Sequence, residues 1–409
     1  MANPVIVVHY HEAWLKGRNR DFFLSKLAWA LRRTLDGIPI GRISRPGDRI
    51  LVELGNGAPL DEAVARVRRV LGIAYFAVAQ PVERDLHAIC RAAWEEVRTE
   101  KFATFAVRAK RSDKSFPVRV MEMESAVGRA LLDHLRAAGR DVRVHLDDPE
   151  LTCHIEVTTG PVLVYARRIA GPGGLPANTA GRMMCLLSGG FDSAVAAYKM
   201  MKRGAHVTFT HFWGGGARPG ESSVHVAREL VRQLVPLQFT AKLYLVPFEE
   251  IQREIVTSAP ETYRLLLYRR MMLRIAEQLA HRDHAQALIV GDSLGQVASQ
   301  TLQNMAAVGA AARLPLFRPL AGDDKQEILG LAKRIGTYDI SAEPFHDCCP
   351  VFMPKVPALH ASAADLDQAE TTFDVHGWVR RGVESASLER LRYAAGKVEK
   401  VESLRAATA

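Results

Sequence analysis

The chain has 409 residues, 48% of them hydrophobic and 24% charged, with a formal net charge of +9. That length accommodates two or three domains, and that balance is the ordinary one of a soluble globular protein. The positive excess favours a polyanionic partner such as nucleic acid; no apolar run reaches the about 18 residues of a membrane span, and the N-terminus lacks the blocks of a signal peptide, so a cytoplasmic protein is expected.

Val5 to Val8 reads as a strand, and Glu12 to Arg20 leads into a helix from Asp21 to Leu35. Phe22, Phe23, Leu27, Ala30 and Leu31 fall at helical spacing there. A strand over Ile50–Leu54, a helix over Leu60–Val70 and a strand from Leu71 onward complete the order β-α-β-α-β. That order predicts a small ferredoxin-like domain over residues 1–80. Lys16, Arg18 and Arg20 are candidate RNA contacts, or else a solvated helix entrance. Residues 81–170 read as a second domain, with helices over 84–100 and 121–138. Strands are expected over 102–111, Val142–Leu146, Leu151–Val157 and Val162–Tyr165. Lys110, Arg111, Lys114 and Arg119 around Phe116 form a candidate RNA surface, because a phosphate chain needs dispersed cations. A charged loop has the same composition. Gly171-Pro172-Gly173-Gly174-Leu175-Pro176 is the clearest linker, and the main boundary is placed over 171–178.

The densest signal follows. Arg182-Met183-Met184-Cys185 reads as a strand, Leu186-Leu187-Ser188-Gly189-Gly190-Phe191-Asp192-Ser193 as a turn, and Ala194 onward as a helix. Gly204 ends that helix, and Ala205 to Phe212 reads as the next strand, which makes a βαβ unit. Paired glycines let backbone N–H groups approach an anion, and the new helix aims its positive end at the same place. The spacing is neither a Walker loop nor G-x-G-x-x-G. It resembles the S-G-G-x-D-S loop of the PP-loop ATP pyrophosphatases, which implies cleavage of ATP between its α and β phosphates. Strand–helix alternation continues over 179–357. It predicts an open parallel sheet flanked by helices, with a charged, helical stretch over 358–409. Ligands of such sheets sit beyond the carboxyl ends of strands. The Ser188 loop, His211-Phe212 and Gly291 all fall at such ends and are expected to share one crevice. Arg269 lies on a long helix, and Lys325 at a helix entrance after Gly322-Asp323-Asp324, where it is placed to stabilise developing charge.

Five cysteines without a framework spacing argue against a disulfide scaffold. Cys90, Cys153 and Cys185 lie on apolar faces and are expected in the core. Cys348-Cys349 falls in a loop after the last α/β element. An adjacent pair cannot hold a structural zinc alone. A strained vicinal disulfide and a nucleophilic or sulfur-carrying thiol remain as readings.

The chain as a whole resembles the ThiI-type tRNA 4-thiouridine synthetases. The resemblance rests on Glu12…Lys16-Gly17-Arg18-Asn19-Arg20, Ala109-Lys110-Arg111-Ser112, Ser188 to Ser193, Tyr268-Arg269-Arg270, Gly291 to Thr301, Arg318-Pro319-Leu320, Asp324-Lys325-Gln326 and Cys348-Cys349. It covers roughly residues 5 to 357 and implies that 81–170 is a THUMP RNA-binding domain. It implies that ATP activates the C4 oxygen of uridine 8 in tRNA by adenylation, and that sulfur from a cysteine desulfurase, carried as persulfide, replaces it. Carried over, Leu186, Leu187, Ser188, Gly189, Gly190, Ser193, His211, Phe212, Arg269, Gly291 and Gln300 would surround the nucleotide. Asp192 and Lys325 would assist adenyl transfer, and Cys348 or Cys349 would carry sulfur. ATP and Mg2+ are the implied cofactors, with no residue assigned as a metal ligand; a homodimer is the implied assembly. The sequence departs from the longer relatives in lacking room after Pro357 for a rhodanese domain, which weakens the family's second role in thiamine thiazole synthesis. A glycine-rich Trp213-Gly214-Gly215-Gly216 is a second departure. The competing readings are a PP-loop ligase of the amidating or tRNA-lysidine type, and a non-catalytic RNA-binding protein.

Overall fold

The computed structural model describes residues 3–214, 223–344 and 356–405. It divides into two compact units, Met1–Pro176 and Ala177–Ala409.

In the first unit, β1 (Val5–Tyr10), α1 (Arg20–Thr34), β2 (Ile40–Ser44), β3 (Ile50–Leu54), α2 (Leu60–Val67) and β4 (Ile73–Val82) make a ferredoxin-like β-α-β-β-α-β half. The strand β2 is absent from the sequence reading. It is a largely exposed edge strand whose Gly41 and Arg42 break the apolar alternation. The second half holds α3 (Leu86–Val97), β5 (Thr104–Arg111), α4 (Val120–Ala137), β6 (Arg143–Val144), β7 (Leu151–Val157), β8 (Val162–Tyr165) and β9 (Ile169–Ala170). One sheet runs through both halves in the order β2-β3-β1-β4-β8-β7-β5-β6. Continuity comes from β4. Its first residues pair with β1, and Gln80 to Val82 pair with β8. The apolar stripes Ile89, Ala93, Val97 and Met123, Val127, Leu131, Leu135 recur at helical spacing and pack α3 and α4 into one core. Beneath the sheet Glu156 is 3% exposed. It accepts from His9 at 2.8 Å and Tyr165 at 2.5 Å, and pairs with Arg49 at 2.6 Å.

The expected linker is tied to this unit. Gly171 and Gly173 donate to Ala74 and Ile73 carbonyls at 2.9 and 2.7 Å, so the segment zips along β4. A Cβ on Gly171 would lie 2.4 Å from the Ile73 oxygen, which is why this approach needs glycine.

The second unit is a sheet of order β14-β13-β10-β11-β12-β15-β16. Its parallel strands are β10 (Arg182–Leu186), β11 (His206–Trp213), β12 (Thr240–Pro247), β13 (Leu288–Ile289) and β14 (Leu316–Phe317). Helices α5 (Phe191–Lys202), α6 (Ser223–Leu234), α7 (Glu249–Ser258), α8 (Arg264–Arg282), α9 (Leu302–Gly309), α10 (Lys325–Ile335) and α11 (Tyr338–Ala342) accompany them.

The stretch 358–409, expected to be helical, is only half so. After α12 (Ala363–Glu370) and α13 (Val375–Ser385) comes a hairpin of β15 (Ser387–Ala394) and β16 (Lys397–Arg405), with β15 antiparallel to β12. Leu388 and Leu391 mimic helical spacing, but the Ala395-Gly396 turn, with φ of 47° and 78°, has the left-handed pair that closes a two-residue hairpin. Nor is the stretch a loose tail: Leu366, Phe373, Val383 and Leu388 share a core with Leu267 and Ile275 of α8. Among the described residues no helix is long and apolar enough to cross a membrane.

Candidate active site

The loop after β10 is shaped by its two serines. Ser188 N–H donates to Ser193 Oγ at 3.0 Å, the two hydroxyls lie 3.1 Å apart, and Gly190 N–H donates to Ser188 Oγ at 3.3 Å. The serine hydroxyls therefore hold the turn. No side chain caps α5 at Gly190, which leaves the N-terminus of that helix available to an anion. Gly291 closes the opposite wall: a Cβ there would stand 2.7 Å from Ser193 N. Only glycine lets the segment after β13 approach the loop so closely.

Asp192, at the first turn of α5, has both carboxylate oxygens engaged. Lys325 Nζ is 2.8 Å from one, and Gln296 Nε2 donates to the other at 3.0 Å. Lys325 begins α10, which is capped by Asp324 and Glu327. On α8, Arg269 donates to Ser299 O at 3.0 Å and pairs with Asp292, which also faces Arg318 at 3.3 Å. Asp192, Arg269 and Asp292 line a cavity of about 250 Å³ at the carboxyl ends of the strands, and Lys325, Gln296 and Arg318 reach it only through those carboxylates. Leu186, Ser188, Asp192, Ser193, Arg269, Gly291 and Gln300, all singled out from the sequence, line it. Asp292 and Ser299 line it too, as do the apolar Met272, Leu273, Val290, Val308 and Leu316. Met272 and Leu273 follow Arg269 by three and four positions, so helical spacing from Arg269 would have found them. Leu187, His211 and Phe212 lie beneath the loop instead. His211 is 1% exposed and bridges Leu187 O at 2.8 Å and Ser223 Oγ at 2.9 Å, while Phe212 packs edge-on against Phe248.

A wider groove of about 630 Å³ lies at the amino ends of the same strands. Its Lys242, Arg390 and Arg392 are paired with Asp283, Glu402 and Glu399. It sits at the end of the sheet that open parallel folds do not use for ligands. The smaller cavity is the candidate site.

The cations of the first unit divide. Arg18, Lys114 and Arg119 are exposed. Lys16 lies 5.3 Å from the Phe23 ring centre, Arg20 is bonded to the Tyr10 hydroxyl, and Lys110 is paired with Asp48. Arg111 donates to Phe116 O at 3.1 Å and Val118 O at 3.2 Å. Phe116 is 2% exposed, with Arg84 over its ring. It belongs to the core, while Lys114 and Arg119 near it in the chain stay exposed.

Cys348, Cys349, Gly215 and Gly216 lie outside the described residues. Burial pushes the Cys153 thiol up to about 12 and raises Cys185 as well, so neither presents a thiolate at neutral pH. Among the described residues no group of three or more His, Cys, Asp or Glu side chains could hold a metal.

Family models match in three blocks: a ThiI ferredoxin-like domain over residues 5–77, a THUMP domain over 83–167, and "Thiamine biosynthesis protein (ThiI)" over 178–375. A probable tRNA sulfurtransferase of Thermus thermophilus is 43% identical over 361 residues, covering 88% of this chain and 87% of that one. One from Moorella thermoacetica is 39% identical over 373 residues, covering 90% and 93%. The crystal structure of a 4-thiouridine synthetase–RNA complex with bound ATP superposes with a TM-score of 0.83 at 31% identity, covering 98% of this chain and 100% of that chain.

Proposed function

The chain belongs to the ThiI family of tRNA sulfurtransferases and performs ATP-dependent sulfur transfer to tRNA; from that premise we propose how its residues divide the work. The cavity at Ser188–Ser193 takes ATP. Free N–H groups at the start of α5 hold phosphate, and Arg269, Gln300 and the apolar wall of Leu186 and Met272 hold the rest of the nucleotide. Asp192 with Lys325 is the observation that carries the reading. An acidic side chain beside a triphosphate is unfavourable alone, and the 2.8 Å lysine contact neutralises it while leaving a half-exposed cation to meet developing charge. A magnesium ion that arrives with the nucleotide would be held mainly by phosphate oxygens, and Asp192, whose two oxygens are bonded to Lys325 and Gln296, would hold it by exchanging one of those bonds. The ion would neutralise phosphate charge.

The accepted oxygen is O4 of uridine 8. Adenylation releases pyrophosphate and converts O4 into a leaving group. The terminal sulfur of a persulfide then attacks C4, and AMP departs with the old oxygen. A second thiol breaks the sulfur–sulfur bond, leaving sulfur on C4 and a disulfide that a dithiol reductant reopens. Cys348 or Cys349 carries the persulfide, supplied by a cysteine desulfurase. The exposed Arg18, Lys114 and Arg119 contact the tRNA backbone. The enzyme acts as a homodimer in the cytoplasm.

The test is a reaction containing the protein, ATP–Mg, cysteine desulfurase, cysteine and unmodified tRNA. Thiouridine is followed by near-ultraviolet absorbance beside Cys348→Ser and Cys349→Ser. Loss of thiouridine in one variant is expected. Pyrophosphate released without thiouridine by the wild type would overturn the sulfur step and favour a ligase of the amidating type.

A further inference from the structure

Asn304 is 0% exposed on α9, among Met305, Ala307 and Val308 of the core. Asparagine is a poor helix former, and a buried amide is costly unless it is bonded. Its bonds leave the helix in two directions. Nδ2 donates to Ala298 O and to Ala358 O, both at 2.8 Å, and Oδ1 accepts from Ala361 N at 2.9 Å. Thr301, the N-cap of α9, donates its hydroxyl to Leu359 O at 2.8 Å, and Gln303 is bonded to His360. Ala358 N donates to Thr262 O at 3.0 Å, just ahead of α8. Residues 358–361 are thus fastened along their whole length.

The two ends of this fastening matter for different halves of the reaction. Ala298 directly precedes Ser299 and Gln300, which line the nucleotide cavity. The 358–361 segment is where the chain continues after Cys348 and Cys349; Cys349 precedes Ala358 by nine positions, at most about 30 Å of extended chain. One buried amide therefore bonds both Ala298, the residue just ahead of two cavity-lining residues, and the segment on which the chain continues after the cysteines.

We propose that Asn304 is a positioning residue that fixes the stem of the Cys348–Cys349 segment to the wall of the nucleotide cavity, so that sulfur arrives where the uridine is activated. The inference rests on the sulfur-carrier reading given above. Adenylation needs the cavity alone, whereas sulfur transfer needs the cavity and the stem in register. When the stem is released, water in place of the persulfide attacks C4. AMP leaves with the old oxygen, and uridine is returned with its ATP wasted.

The experiment compares thiouridine formed per pyrophosphate released, using full-length protein, tRNA, ATP–Mg, desulfurase and cysteine. In Asn304→Ala the ratio is expected to fall by roughly fivefold or more, with pyrophosphate release within about threefold of wild type, since misplacement of one reactant costs rate at that step only. Thr301→Val, which removes the Leu359 bond, is expected to lower the ratio in the same direction and decides the matter if Asn304→Ala does not fold. A role confined to packing would lower both products together and leave the ratio unchanged, which overturns the inference. Cys348→Ser and Cys349→Ser run beside them. If both retain full thiouridine formation, the sulfur-carrier reading fails and takes the inference with it. If one is inactive and the Asn304→Ala ratio is unchanged, the inference alone fails.

Discussion

Glu156 in the first unit and Asp192 in the second are both carboxylates held by cations, and their surroundings differ. Glu156 is 3% exposed, and its partner Arg49 is 1% exposed; His9 and Tyr165 complete the set. Asp192 stands at a cavity wall, and the side chain of Lys325 is 43% exposed. The first network is buried and ties β1, β7 and β8 together with Arg49. The second leaves its cation half in solvent, where a phosphate can compete for it. Burial of the cation, more than the presence of a pair, separates a structural ion pair from a working one.

Substitutions can break that contrast. Glu156→Ala removes the buried counter-ion of Arg49, whose guanidinium keeps Asp48 and Ser112 at 2.8 Å, and should cost about 3 kcal/mol of stability, read by denaturant unfolding. Asp192→Asn should lower pyrophosphate release by about 10²–10³-fold, as loss of a preorganised electrostatic contact does. Its unfolding free energy should change by less than about 1 kcal/mol, since the pair is partly solvated. A large stability loss in Asp192→Asn would erase the distinction.

Acid sharpens the same comparison with a smaller, graded effect. Burial alone would raise the Glu156 carboxyl, but the hydrogen bond from His9 and the charges of His9 and Arg49 hold it down to about 2, below its ordinary 4.5. Its stabilisation is present above pH 4.5 and is lost as the pH falls through about 2. His154 is held at about 4 by burial and then by Arg168, below its ordinary 6.5. That contribution is lost earlier, as the pH falls from 6.5 through about 4. Unfolding followed from pH 7 to 2 should therefore weaken in two stages, and Glu156→Gln should remove the second. The smallest effects concern RNA. Arg18→Ala, Lys114→Ala and Arg119→Ala should each weaken tRNA binding with little sequence preference and lower its salt slope by roughly 1. Arg111→Ala should act mainly on stability, because its guanidinium is engaged by the Phe116 and Val118 carbonyls. Filter binding at several salt concentrations distinguishes these outcomes.

The catalytic cavity was readable where its parts are contiguous or bound to strand ends. Ser188 to Ser193 is one unbroken run, and Gly291 falls at the end of an apolar strand. Gln296 was not assigned a role, because its contact to Asp192 spans 104 positions and nothing local marks it. Val308 and Leu316 look like any core residues until the chain is folded. The RNA surface was harder to read. A phenylalanine among cations has the same sequence whether it faces solvent or, like Phe116, the core. Lysines and arginines do not announce which of them will find a carboxylate partner, as Lys110 finds Asp48 at the surface. The ferredoxin-like order emerged despite the missing β2, because an edge strand with two exposed centre positions has no buried face to pattern it.

The hairpin at β15 and β16 has a consequence for biosynthesis. Strand β12 finds its outer neighbour only in residues 387–394. On the ribosome, at about 5–20 residues per second, the first unit is free to fold long before the catalytic sheet can be completed. Throughout that interval the backbone edge of β12 is open to any other nascent strand. The enzyme is thus most exposed to misassembly late in its own synthesis. Variants that slow emergence of the hairpin should reduce yield without altering the activity of the molecules that finish.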